Sequence, residues 1–246
     1  MIDFEKCKSE FDKYVEQFDL NNKLIIKKKI HTYRVVEYAE KLAEAESLNE
    51  HDFNLAKVCA LLHDIGRFEQ AQKYNTYQDS ISVDHGNLGY EILLRNNYIS
   101  NYLTEEEDKK ICLKAVKNHN KFEMEEMSDR ESFFTKITKD SDKLDIMLSQ
   151  YNTVKDGRTD IHSGVLEALR NHRLYNSMND KEERSNASII VMELCFIYDV
   201  YFKSSLRIIR DSGIIGKKIE SLRSAVNKET VDEIEEIINS YMSSKI

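Results

Sequence analysis

The chain has no proline in 246 residues, where average usage of about 5% would supply roughly a dozen. Proline breaks helix interiors, so its absence suits a molecule built from helices. Glycine is scarce as well. The seven, Gly66, Gly86, Gly89, Gly157, Gly164, Gly213 and Gly216, fall mostly where helices can stop or turn. The four cysteines, Cys7, Cys59, Cys112 and Cys195, are widely spaced with no CxxC pair, which argues against a disulfide framework and reads as reduced thiols.

Long apolar runs are also missing. The opening "MIDFEKCKSEFDKY" lacks the apolar stretch of a signal peptide. The most apolar segment, "SIIVMELCFIYDV", is interrupted by Glu193 and too short to span a bilayer. A cytoplasmic protein with no membrane partner is therefore expected. Excess positive charge is absent too: the formal net charge is -8, which argues against a nucleic-acid backbone as the main partner. The one basic run, "KLIIKKK" at Lys23 to Lys29, reads as a solvated helix face. No strand alternation, internal repeat or low-complexity segment is visible.

What is present is apolar residues at three- and four-residue spacing along the whole chain, in a composition 41% hydrophobic and 33% charged. That spacing predicts an all-α fold. Helices are expected near 4–18, 24–47, 52–64, 85–96, 105–120, 131–151, 161–171, 184–211 and 230–243. The least regular stretch, Gln70 to Asp84, has the length of a functional loop or lid. A polar connection, "NTVKDGRTD", follows the first 150 residues, but nothing in its composition makes it a flexible linker, so 1–246 is read as a single domain.

Within this pattern, polar groups occupy inward positions. His31 shares a helical stripe with Val35, Tyr38 and Leu42, and "LLHDIGR" puts His63 and Asp64 at the end of the stripe Leu55, Cys59 and Leu62. His85 leads Leu88, Gly89 and Ile92; His119 follows Cys112, Ala115 and Val116; Asp142 sits between Ile137 and Leu144. Any one of these histidines alone is most simply a hydrogen-bonded core residue. Four histidines and two aspartates on inward faces need a shared purpose, and a metal provides one, because coordination compensates their burial. His51-Asp52 is also a His-Asp pair, but it lies in a polar helix start where Asp52 can cap, and no chemistry is assigned to it. His162 and His172 read as ordinary helix residues.

The order His31, "LLHDIG", then Asp142 in "DSDKLD" resembles the HD-domain superfamily over about residues 24–150, with His85 and His119 matching the members that hold two metals. The resemblance implies a helical bundle with added C-terminal helices from about 151 to 246, and a site made by His31, His63, Asp64, His85, His119 and Asp142. It would hold one or two divalent transition-metal ions, Asp64 bridging; nitrogen and oxygen ligands suit manganese, iron, zinc, nickel or cobalt. Asp145, nearly one turn past Asp142, could orient a ligand. The implied activity is phosphohydrolysis of a nucleotide or other small phosphoester by attack of a metal-bound hydroxide. Asp64, Arg67 and Lys143 are the expected catalytic groups, with Arg67, Tyr74 and Tyr77 on the substrate. The same ligand set also occurs in relatives resembling mixed-valent di-iron oxygenases, and a metal-stabilised nucleotide-binding module without catalysis is the non-enzyme alternative.

The C-terminal third supports no carry-over of function. Ile189, Met192, Leu194, Phe196, Ile197, Val200 and Leu206 form a wide apolar surface there, read as one long buried helix closing over the bundle, part of it a candidate homodimer face. Asp199 and Arg207 are an expected pair within it or at an interface.

Overall fold

A computed structural model describes residues 1–149, 154, 158–176 and 184–246. Residues 150 and 151, where the expected helix 131–151 ends, and most of the 152–160 connection lie outside the described residues. These contain helices and turns and no strand, as the spacing predicts. The chain divides into two compact units, Met1–Asp142 and Lys143–Ile246.

The first unit is assembled around α3 (Glu50–Leu62), against which α1 (Phe4–Val15), α2 (Lys23–Ala45) and α6 (Glu106–Asn118) pack. Leu55, Ala56, Val58, Cys59, Ala60, Leu61 and Leu62 are all buried, so α3 is apolar around most of its circumference. Side chains fix where these helices begin. Asp3, Asn22 and Asn49 accept from the main-chain N–H groups of Lys6, Leu24 and Asp52, satisfying donors the first turn leaves orphaned. Asn49 is thus the cap of α3, and Asp52, expected in that role, receives Arg130 at 2.6 Å instead.

The main correction to the predicted elements concerns the stretch after "HDIG". A helix, α4 (Gly66–Tyr74), starts almost at once, so the irregular segment is only the loop 75–84, which contains a single 3-10 turn at Asp79–Ile81. The start of α4 was hidden because Ile65, at its N-cap position, makes no side-chain capping bond. α4 then packs on α5 (His85–Leu94). A Cβ on Gly66 would lie 2.4 Å from the carbonyl oxygen of His85 and 2.7 Å from the nitrogen of Gly89. Only glycine permits that approach, and the approach brings His85 to Asp64. The last helix to begin in this unit, α7 (Asp129–Ser149), buries Phe134 and Ile137 there and carries Asp142, where the unit ends.

The second unit holds α8 (Ser163–Arg170), α9 (Asn186–Leu194), α10 (Lys203–Asp211), α11 (Ile214–Arg223) and α12 (Lys228–Lys245). The single helix expected over 184–211 is two. It breaks through a 3-10 turn at Cys195–Asp199 and extended backbone at Val200 and Phe202. The run "FIYDVYF" explains the break, since β-branched and aromatic residues lose rotamer freedom in a helix. Asp199 pairs with Lys143 at 2.7 Å. Lys218 and Glu193 form an ion pair with both side chains buried. His162 caps α8 through its ring Nδ1, and His172 lies beyond α8 with a positive φ of 51°, so neither is a helix-interior residue.

Candidate metal centre

Five segments of the first unit deliver the six polar residues to one place. His31 projects from the buried face of α2; His63 and Asp64 lie in the turn joining α3 to α4; His85 opens α5; His119 directly follows α6; Asp142 is on α7. His63 is fully buried, and Asp64 is 2% exposed.

Asp64 stands between two groups. Its Oδ2 is 3.3 Å from His31 Nε2 and 3.3 Å from His63 Nε2, and Asp142 Oδ1 completes that group at 3.1 Å and 3.7 Å from the same nitrogens. Its Oδ1 is 3.5 Å from His85 Nε2 and 3.5 Å from His119 Nε2, which are themselves 3.0 Å apart. Bonds of about 2.0–2.1 Å to a shared ion place ligand atoms about 2.9–3.4 Å from one another. Four of the distances lie in that range and the other three, at 3.5 Å, 3.5 Å and 3.7 Å, only a few tenths beyond it. His31, His63 and Asp64, and likewise Asp64, His85 and His119, could therefore each hold an ion, as could His63, His119 and Asp142.

Hydrogen bonds at the far side of the rings turn their inner nitrogens towards a place where a metal ion could be held. Nδ1 of His63 faces the Ala60 carbonyl at 2.6 Å, Nδ1 of His119 faces the Val116 carbonyl at 2.8 Å, and Nδ1 of His85 faces Asp79 Oδ2 at 2.6 Å. Carbonyl and carboxylate oxygens only accept, so each Nδ1 carries the proton and each Nε2 of the neutral ring is bare. Two bare nitrogens facing each other at 3.0 Å repel unless a cation lies between them. Burial, reinforced by Arg67, pushes His85 down to about 4, and burial also lowers His119, so a proton is a poor candidate for that cation. His63 Nε2 and Asp64 Oδ1 are likewise buried without a well-aligned hydrogen bond among the described residues. A divalent ion fits all of these atoms.

The field inside the cluster is strongly coupled. Burial opposes ionisation of Asp64, yet Lys28 and His63 hold its carboxyl well below the usual range. Burial likewise opposes ionisation of Asp142, and His31 and His63 hold it low. Burial disfavours the charged form of His63, but Asp64 and Asp142 outweigh it and raise that ring.

Other residues singled out from sequence are placed differently from one another. Arg67 Nη1 donates to Gln70 Oε1, the Tyr77 carbonyl and Asp79 Oδ1, and Nε lies 3.5 Å from Asp64 Oδ1, so the guanidinium is a strut between cluster and loop. Tyr77 donates its hydroxyl to the Leu24 carbonyl, and its ring lies 5.4 Å from Lys28 Nζ and 5.6 Å from the Arg67 guanidinium. Tyr74 stays at the exposed end of α4 under Lys73, with no tie to the six among the described residues. The Lys143 ammonium faces Asp199. His51 pairs with Asp108 at 3.0 Å, apart from the cluster.

Two residues, Lys28 and Asn120, were missed. Lys28, assigned to a solvated face, contacts Asp64 Oδ2 and is only 15% exposed; its place one turn before His31 was the available signal. Asp79, in the loop that the sequence singled out, meets His85, and Asn120 joins them, with Nδ2 at 3.4 Å from both Asp79 Oδ2 and His85 Nδ1. Nothing in the spacing of Asn120 announced it.

No helix among the described residues is long and apolar enough to cross a membrane. None of the curated proteins and none of the solved structures compared with the chain matches it. The family model for the HD domain, a helical fold typical of metal-dependent phosphohydrolases, matches residues 29–147 and so takes in every residue of the cluster. That match, over residues that bring together His31, His-Asp at 63 and 64, and Asp142, supports membership of the HD-domain superfamily.

Proposed function

We propose that the chain is a metal-dependent phosphohydrolase acting on a nucleotide or another small phosphoester. The observation that carries this reading is Asp64, whose two oxygens face two different pairs of histidines. A shared carboxylate suits two ions about 3.5–4 Å apart, the spacing that serves in-line displacement at phosphorus. His31, His63, Asp64 and Asp142 would hold one ion; Asp64, His85 and His119 would hold the other. Manganese, iron, zinc, nickel and cobalt all suit this nitrogen and oxygen set. Such ions supply Lewis acidity towards phosphoryl oxygens and bring the pKa of bound water towards neutrality.

The chain's own groups do the positioning. Asp64 and Asp142 bring negative charge that would repel a phosphoryl group, and Lys28 and Arg67 stand beside Asp64 to offset it. Lys28 pairs with Asp64 Oδ2 at the cluster itself and is the cation we assign to a phosphoryl oxygen, whereas Arg67 is tied to the loop through Asp79 and Lys143 to Asp199. Tyr77 presents its ring beside both cations and forms the wall on which a base could stack. Tyr74 takes part only at the outer edge of such a pocket.

The test is phosphate release from an aryl phosphate and a panel of nucleotides, with added manganese or nickel, on protein whose metal content is measured in the same sample. Metal-dependent release is expected. Bound iron with dioxygen consumption and no phosphate release would instead favour the di-iron oxygenase, and nucleotide binding without turnover a non-catalytic module.

A further inference from the structure

The histidines of the cluster are not anchored alike. His63 and His119 donate Nδ1 to carbonyls three residues earlier, Ala60 and Val116, so their rings are oriented by the helices they terminate. His85 is the first residue of α5 and has no preceding helical turn to supply such a carbonyl. Its Nδ1 donates instead to Asp79 Oδ2 at 2.6 Å, a side chain from the 3-10 turn of the neighbouring loop. Asn120 Nδ2 also lies near that nitrogen, at 3.4 Å, but Asp79 Oδ2 is the close acceptor that orients the ring.

Asp79 is in turn latched from α4. Arg67 Nη1 reaches its Oδ1 at 2.8 Å and Gln70 Nε2 reaches the same oxygen at 2.9 Å. Gln70 is fully buried, and its amide also lies 2.8 Å from Ser82 Oγ and 2.9 Å from the Val83 carbonyl. Arg67 holds the Tyr77 carbonyl as well. Loop, latch and ring thus form one connected network, while the outer side of the loop faces solvent with Ile81 69% exposed.

We propose that Asp79 is a positioning residue for the ion held by Asp64, His85 and His119, and that the loop 75–84 thereby acts on that ion position through His85. This rests on the two-ion reading above. In the other position His31 and Asp142 lie on α2 and α7, and His63 is oriented by the Ala60 carbonyl rather than by the loop. The second position exists only while Asp79 holds the Nδ1 proton of His85 and leaves Nε2 bare towards His119. A ligand that moves Tyr77 moves Asp79 with it, so the second ion position responds to occupancy of the loop wall.

The experiment is a manganese titration of the metal-free protein, as wild type, Asp79→Ala, Asp79→Asn and Asp84→Asn, with bound ions counted by elemental analysis. Asp84 caps α5, pairs with Lys121 and accepts from Asn120 at 3.3 Å, so its substitution disturbs the same region while leaving the Asp79 carboxylate that accepts from His85 in place. Wild type and Asp84→Asn should bind two ions. Asp79→Ala should keep one at wild-type affinity and bind the other about 10- to 100-fold more weakly, with Asp79→Asn between them because an amide oxygen still accepts. Equal binding of both ions by Asp79→Ala would overturn this inference and leave the two-ion reading standing; a wild type that binds fewer than two would overturn both. Nitrogen-15 spectra of the metal-free wild type decide the matter without a variant: protonation of His85 at Nδ1 is expected, and protonation at Nε2 would refute the role of Asp79.

Discussion

Nε2 of His85 and Nε2 of His119 stand 3.0 Å apart in a buried site, each ring already committed at Nδ1 to an acceptor. Two lone pairs so placed store repulsion that a cation relieves. The cluster is thus complementary to positive charge before any substrate is considered.

Metal removal should therefore destabilise the fold as well as abolish activity. An ion present at about 100 times its Kd adds about 2.7 kcal/mol, which for a chain of this size corresponds to roughly 5–10 °C in Tm. Thermal denaturation before and after a chelator, then after added manganese, should show that drop and its recovery.

Gly66→Ala places a methyl 2.4 Å from the His85 carbonyl oxygen, a backbone atom with no flexible end to move aside. A cost of about 1–3 kcal/mol is expected from such overpacking, together with weaker metal binding as α5 is pushed from Asp64. Urea unfolding and metal content measured on the same variant check the two effects; an unchanged midpoint would show that α4 and α5 are not so closely fitted.

Lys218 and Glu193 bury an ion pair in the second unit. Lys218→Met should cost about 3–5 kcal/mol, because it leaves a carboxylate buried without its charge partner, whereas adding Glu193→Leu should restore much of the loss. Chemical denaturation of the two single variants and the double variant forms the cycle.

Asp12 accepts from Tyr33 and pairs with Lys29, each at 2.6 Å. Partial burial opposes its charge, but Lys29 and Tyr33 prevail and lower its pKa from the ordinary 3.8. A depressed folded-state pKa means that the stabilisation is complete above 3.8 and is lost as pH falls from there through the folded value. The Tm difference between wild type and Asp12→Asn should thus be constant near neutrality and shrink below about pH 4.

Much of the centre was legible because helical periodicity is a strong signal and polar residues on an apolar stripe violate it. His31, His63, Asp64, His85, His119 and Asp142 were all found that way or by the resemblance it prompted, and all six meet. α4 was not legible, since its start has no capping side chain and "HDIG" passes from one helix to the next in a tight turn. The break within 184–211 was partly legible in "FIYDVYF", where apolar spacing continues through residues of low helix propensity. Asp79 and Asn120 reach His85 from loops whose path depends on tertiary contacts, and no period encodes that.

The most direct test of the account is the metal content of Asp64→Ala beside wild type, with His51→Ala as the control. Among the described residues Asp64 alone faces both nitrogen pairs, so its loss should empty both ion positions while helicity stays largely intact, and His51→Ala should keep wild-type content. A wild type without stoichiometric metal, or an Asp64→Ala variant with full content, would contradict the claim that this carboxylate joins two ions.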